Sequence, residues 1–351
     1  MQAFTFVGMP CRVIFGFGTI SQVAEEMRTL GCSRALVLSG SHHAPTAQAL
    51  VDQLGPLAVG LFCEAIVHTP IEVTERAVAA AKACAADCVV AVGGGAAVGL
   101  AKSIAYYTDL HQIVIPTTYS GSEGTPVIGQ TKDGVKTTWR TVKVMAEVII
   151  YDVDLTLSLS PQFTAASGLN ALAHAMEGLY AVDANPIVSL IAEEGARAMA
   201  RALPVLQRDP MDREARSDAL YGAWACGSVM GAVSLGLQHK LSHTLGGAFD
   251  LPHAQTHAIM LPYTAAYNAP AAPEAMARLA RALGVEDAPR GLYDLARTLG
   301  VPASLKEIGV PLDGLKRVAD LAVAAPYPNP RPLTHEGIMG VLQAAYEGRR
   351  P

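Results

Sequence analysis

Cysteine is sparse and badly spaced for chemistry. The 351 residues hold six, Cys11, Cys32, Cys63, Cys84, Cys88 and Cys226, and none form a C-x-x-C pair. That argues against a zinc knuckle or a disulfide framework and fits buried thiols in a reducing cytoplasm. Charge of one sign is also scarce: 26 Lys and Arg stand against 31 Asp and Glu, a formal −5, with no block of five or six like charges. Neither nucleic acid nor a polybasic membrane contact is expected from that balance. Uninterrupted apolar runs of about 18 residues are missing too, since Gly, Lys or Asp breaks even the alanine-rich stretch 76–105. The opening MQAFTFVGMPCRVIFGFG has no basic segment ahead of an apolar one and no small-residue cleavage site, so it does not read as a signal peptide. The expectation is a soluble cytoplasmic protein acting on a small molecule.

The length favours two domains. Through about residue 155, buried β-branched runs alternate with helical stretches: RALVLSG (34–40), LAVGLF (57–62), DCVVAVGGG (87–95), QIVIPTT (112–118) and VMAEVIIYD (144–152) read as strands. TAQALVDQL and EVTERAVAAAKACAA between them carry helical spacing. Strand and helix in alternation imply an α/β domain, a parallel sheet with helices on both faces. VIGQTKDGVKTTWR (127–140) reads as an exposed hairpin turning at Asp133-Gly134. From 156 to 351 alanine, leucine and methionine dominate, and helices are expected at 186–203, 211–236, 273–283, 289–299 and 334–348. Ser160 as N-cap and Pro161 at the first helical position open this all-helical domain. A cleft between the two domains is the default place for a ligand.

AVGGGAAVGLAK (91–102) leaves a strand and enters a helix. A turn needing positive φ requires one glycine, seldom three. Gly93, Gly94 and Gly95 followed by Ala96 instead leave backbone N–H groups bare at a helix N-terminus, where a pyrophosphate sits well. The next strand end, IPTTYSGSEGTP, offers Thr117, Thr118, Ser120 and Ser122 beside the same crevice. Ser39 and Gly40 close the second strand with no carboxylate to repel a 2′-phosphate, so NADH and NADPH both stay open as cofactors. FGFGTI (15–20) lacks a third glycine at 21 and reads as a turn after a hairpin-like stretch.

Two segments bear the chemistry. In GLNALAHAMEGLY (168–180), Asn170, His174 and Glu177 are four and three residues apart and share a helix face. In GLQHKLSHTLGGAFDLPHAQTHAIMLP (236–262), His239 and His243 share a face, Gly246-Gly247 is placed to end that helix, and Pro252-His253 begins a segment that also carries His257. A lone histidine is usually packed or solvated, but four within nineteen residues shift the reading toward a site. Lys240 stands among them.

In this order the glycine loop with Lys102, PTT…GSE, N-A-L-A-H and H-x-x-x-H-x-L-G-G…P-H resemble the iron-containing alcohol dehydrogenase family across nearly the whole chain. The resemblance implies a dinucleotide-binding domain, a helical domain and a metal held by one aspartate and three histidines. Those positions are here Asn170, His174, His239 and His253, and His243 matches a histidine with a proposed proton-transfer role. Gly99 stands in place of a usual aspartate, Ala96 in place of a serine, the PTT loop is one residue shorter, and Asn170 replaces the carboxylate ligand. With HKLSHTLGG and YPNPRPLT (327–334), these departures resemble the branch of the family that reduces maleylacetate to 3-oxoadipate in aromatic-compound catabolism. The resemblance also implies a homodimer.

Hydride addition to an alkene conjugated with a ketone spreads charge into an enolate, so a hydrogen-bond donor can replace a Lewis acid, at roughly 3 kcal/mol per donor. An amide in place of a carboxylate also holds a divalent cation less well. The expectation is therefore a polar pocket of His174, His239, His243 and His253 with no required metal. For the dianionic substrate Lys240 is the first candidate, with Lys136, Arg140 and Arg331 as looser ones, and Tyr119 and Asn170 as polar partners. Two other readings stay open: a metal-dependent alcohol or lactaldehyde-type dehydrogenase of the same family, and a non-catalytic nucleotide-binding sensor.

Overall fold

The computed structural model describes residues 3–8 and 11–351, except the side chain of Lys136. The chain divides into two compact units, one spanning Gly8–Ser158 and one that includes Leu159–Pro351.

The first unit is built on strands β1 (Arg12–Gly16), β2 (Ala35–Leu38), β3 (Ala58–Phe62), β4 (Cys88–Gly93) and β5 (His111–Pro116), the pair β6 (Val127–Lys132) and β7 (Val135–Arg140), and β8 (Val148–Asp152). Six of them form one parallel sheet in the order β1-β8-β5-β4-β2-β3. Helices α1 (Val23–Thr29), α2 (Ala44–Leu54), α3 (Ile71–Ala83) and α4 (Gly95–Thr108) cover it. Alternation along the strands feeds two cores. Val37, Val90 and Ile113 pack with α1 and α2 residues such as Met27 and Leu50, while Leu36, Leu38 and Val89 pack with Ala77 of α3 and Leu100 of α4. A sheet buried on both faces needs the continuous apolar runs seen in the sequence. The hairpin also forms as expected: β6 and β7 pair antiparallel, and Asp133 and Gly134 both take positive φ, 51° and 74°, as a type I′ turn requires.

One expectation here is corrected. The stretch before Gly16 is no hairpin; β1 is an edge strand parallel to β8. The turn that follows does use its glycines, with Gly18 left-handed at φ 67°.

The second unit is helical: α5 (Pro161–Tyr180), α6 (Pro186–Arg208), α7 (Arg213–Ala232), α8 (Leu237–Phe249), α9 (His253–Asn268), α10 (Pro273–Leu283), α11 (Ala288–Thr298), α12 (Gly314–Val323) and α13 (His335–Glu347). Ser160 caps α5 by accepting from the Phe163 N–H at 3.2 Å. From Thr164 to Tyr180 every α5 residue is buried, so this helix is the spine of the unit, with α6, α7 and α9 packed on it. Glycines permit the close approach: a Cβ on Gly178 would lie 2.0 Å from Val229 Cγ1 of α7.

Two helix boundaries differ from the sequence reading. The helix expected over 211–236 stops at Ala232, and the chain bends by 97° into α8. The bend is held because Glu177 of α5 accepts from the Gly236 and Gln238 N–H groups at 3.1 and 2.8 Å. Conversely Gly246-Gly247 does not end α8, which runs on to Phe249 and closes on left-handed Asp250. Helix α12 had not been anticipated. Among the described residues no single helix is long and apolar enough to cross a membrane.

Candidate functional site

In the first unit the chemistry gathers where strand order reverses. The chain leaves β2 toward β3 on one side and β4 toward β5 on the other, which opens a crevice at the carboxyl ends of β2 and β4. Gly94 is the N-cap of α4, and no side chain caps the helix. Its free N–H groups and dipole favour an anion. A Cβ on Gly94 would sit 2.9 Å from Thr118 Cγ2, so a side chain there has no room. A Cβ on Gly95 would meet nothing closer than the Ser120 and Ser122 hydroxyls at 3.9 Å. Backbone amides, hydroxyls and an open space of that kind fit a cofactor pyrophosphate.

The PTT loop is stitched to this cradle. Thr117 N–H donates to Gly93 O at 3.1 Å, Thr117 Oγ1 lies 3.1 Å from His43 Nε2, and the Ser120 and Ser122 hydroxyls are 3.2 Å apart. Burial lowers the His43 pKa. Lys102, buried inside α4, donates to the carbonyls of Ser122, Thr125 and Val127 at 2.6, 2.7 and 3.0 Å and contacts Thr125 Oγ1 at 3.0 Å. Burial pulls its ammonium down to about 7. Neither His43 nor the clasp made by Lys102 was anticipated, because both depend on a loop returning from far along the sequence. Gly99 is explained sterically: a Cβ there would lie 2.6 Å from Thr69 Oγ1. Ser39 is buried and turns its hydroxyl to Gly40 O at 3.0 Å. Tyr119 is fully buried, Arg140 is exposed on β7, and the side chain of Lys136 lies outside the described residues.

The second unit assembles five imidazoles from three helices: His174 (α5), His239 and His243 (α8), and His253 and His257 (α9). Ring centres are 5.1 Å apart for His174–His239, 5.5 Å for His243–His253, 4.7 Å for His239–His257 and 4.5 Å for His253–His257. His174, His239 and His257 are buried; His243 and His253 are exposed. Burial first, and the neighbouring imidazoles second, push the His174 and His257 pKa values well below the ordinary 6.5. These two rings are neutral, so a protonated donor has to be sought elsewhere.

Glu177, also fully buried, accepts from His239 Nδ1–H at 2.5 Å besides the Gly236 and Gln238 amides. That hydrogen bond fixes the His239 tautomer, with Nε2 bearing a lone pair. Four buried atoms of the cluster have no protein partner: Asn170 Oδ1, His174 Nδ1, His239 Nε2 and His257 Nε2. Each unsatisfied buried polar atom costs about 1–3 kcal/mol. Four in one place are a cost that a polar ligand would relieve.

Beside the cluster, Lys240 is half-buried, its Nζ 5.8 Å from the Tyr327 ring centre. Arg331 is used in packing: it donates to Tyr267 O at 3.0 Å and stacks 4.3 Å over that ring, pinning the 327–334 segment to α9 with the Asn268–Asn329 pair. His257 counted toward the histidine density in the sequence but carried no assigned role, and Gln238 was not among the expected site residues.

A divalent cation would meet imidazole nitrogens here, and an amide oxygen where the resemblance implies a carboxylate. Asn170 gives the positions of the family's ligand set no carboxylate. Among the described residues the three histidines whose nitrogens lie within 4.8 Å of one another are His243, His253 and His257, a different set from His174, His239 and His253.

Models of known families agree with this architecture. The iron-containing alcohol dehydrogenase model matches residues 10–153, and the C-terminal model of the Fe-containing alcohol dehydrogenase family matches 164–346. The chain belongs to the iron-containing alcohol dehydrogenase family, whose members are NAD(P)-dependent oxidoreductases. Within that family it is similar to maleylacetate reductases. It is 56% identical to the one from Sphingobium indicum over 99% of both chains. It is 54% identical to the crystal structure of the one from Agrobacterium tumefaciens, with a TM-score of 0.98 and full coverage of both chains. For the Rhizobium sp. structure the values are 55% and 0.97, again over both full chains.

Proposed function

We propose that this chain reduces the C=C bond of maleylacetate to give 3-oxoadipate in aromatic-compound catabolism, using NADH or NADPH and no metal. The observation that carries the reading is the set of four unpartnered buried polar atoms amid five imidazoles, in a chain about half identical to maleylacetate reductases. The nicotinamide cofactor, when bound, supplies hydride to the alkene carbon β to the ketone.

Gly93, Gly94, Gly95 and Ala96 hold the pyrophosphate by their amides, with Thr117, Thr118, Ser120 and Ser122 on the nicotinamide side. Ser39 and Gly40 border the ribose. No acidic residue stands at 39–43 to repel the 2′-phosphate of NADPH. As charge reaches the ketone oxygen, N–H donors of the cluster stabilise the enolate. His243 and His253, exposed and able to exchange protons with water, deliver the proton that completes the α carbon. His239, fixed by Glu177, accepts rather than donates at Nε2, and His174 and Asn170 complete the polar wall. Lys240 pairs with a substrate carboxylate. The working form is a homodimer.

The test is reduction of maleylacetate by the purified chain with each cofactor, repeated with His243→Ala and His253→Ala. Turnover falling by roughly 10²-fold or more in at least one variant is expected for loss of a general acid. Wild-type turnover in both would overturn the role of the cluster. The His243, His253 and His257 group favours a second reading, metal-assisted reduction of simple aldehydes, which would show as chelator-sensitive activity on them.

A further inference from the structure

Gln238 and His257 form a buried pair that the reading above leaves unused. Both are fully buried, on α8 and α9. The orientation of the Gln238 carboxamide follows from its neighbours. One of its terminal atoms lies 3.0 Å from His257 O, which can only accept, so that atom is the amide nitrogen. The Thr264 hydroxyl then donates to Gln238 Oε1 at 2.5 Å. The same amide nitrogen faces His257 Nδ1 at 3.3 Å, so Nδ1 accepts. A neutral imidazole has one N–H, and here it is on Nε2. That nitrogen is buried without a protein partner, in a ring whose centre lies 4.7 Å from His239 and 4.5 Å from His253.

We propose that His257 Nε2–H is the hydrogen-bond donor to the ketone oxygen of the substrate, and that Gln238 is the positioning residue that holds this proton on Nε2. The adjacent rings are thereby set in opposite senses: Glu177 leaves His239 an acceptor, and Gln238 leaves His257 a donor. When hydride forms the new C–H bond at the β carbon, the alkene pair moves to the bond between the α and carbonyl carbons, and the carbonyl π pair moves to oxygen. His257 bonds to that oxygen and keeps its proton. The oxygen pair returns to C=O when the α carbon takes a proton from another group. This assignment rests on the maleylacetate reading, and the experiment separates the two.

The test is nitrogen NMR of the full-length protein labelled at histidine, joined to steady-state kinetics of Gln238→Glu, His257→Gln and His257→Leu. In the wild type the His257 proton is expected on Nε2. Gln238→Glu provides an acceptor that draws the proton to Nδ1. The kcat is then expected to fall by roughly tenfold or more, with NADH binding unchanged. His257→Gln, which retains an N–H near the Nε2 position, should recover part of what His257→Leu loses. A wild-type proton on Nδ1, a moved proton with unchanged kcat, or wild-type kcat in His257→Leu would each overturn the proposal. If Gln238→Glu does not fold, the wild-type tautomer and the two His257 variants still decide. A wild-type protein with the proton on Nε2 and no turnover of maleylacetate would refute the functional reading instead.

Discussion

Replacing Glu177 by glutamine tests the most connected group in the histidine cluster. The carboxylate accepts from Gly236 N–H and His239 Nδ1 on one oxygen and from Gln238 N–H on the other. Glutamine keeps the shape but has one acceptor atom. Whichever way the amide turns, at least one buried N–H loses its partner, at about 1–3 kcal/mol, and the surviving bonds lose their charge assistance. Relief from burying a carboxylate offsets part of this. A net loss of about 2–4 kcal/mol is expected in urea unfolding of the helical unit. Turnover should also fall, roughly tenfold to a hundredfold, because the His239 ring is freed to reverse its tautomer. NADH affinity should not change, since the glycine cradle belongs to the other unit. Unfolding within about 0.5 kcal/mol of wild type, with unchanged turnover, would refute the idea that Glu177 fixes both the bend and the ring.

Acid should destabilise the protein through the same cluster. The folded pKa values of His174 and His257 are depressed by burial, so below about pH 6.5 the unfolded chain binds protons that the native one does not. Stability then falls by roughly 1.4 kcal/mol per pH unit for each ring; a urea midpoint that holds steady between about pH 6.5 and 5.5 would contradict this. Gly178→Ala inserts a Cβ 2.0 Å from Val229 Cγ1 and should cost about 1–3 kcal/mol by forcing α5 and α7 apart, seen as a lower unfolding midpoint; a neutral result would mean that the helices yield freely. Light scattering should give twice the chain mass, and a single-chain mass would rule out the homodimer.

The α/β unit was legible because sheet strands buried on both faces must be apolar throughout, and the Asp133-Gly134 turn because few residues accept its φ values. The edge strand β1 was not, since it is short and its parallel partner lies more than a hundred residues away. The break before α8 was invisible for a related reason: its cause is Glu177, on a different helix. The histidines announced themselves by density, yet their division into donor and acceptor depends on Gln238 and Glu177, which only the packing brings to them. Gly99 read as a departure from a family pattern; the structure gives it a steric reason in Thr69.

The most direct measurement is consumption of NADH and NADPH by the purified protein with maleylacetate, before and after exhaustive chelation with metal content determined in parallel. The account requires stoichiometric conversion to 3-oxoadipate at a rate that chelation leaves unchanged. No consumption with either cofactor would contradict it, as would activity lost on chelation and restored by iron or zinc.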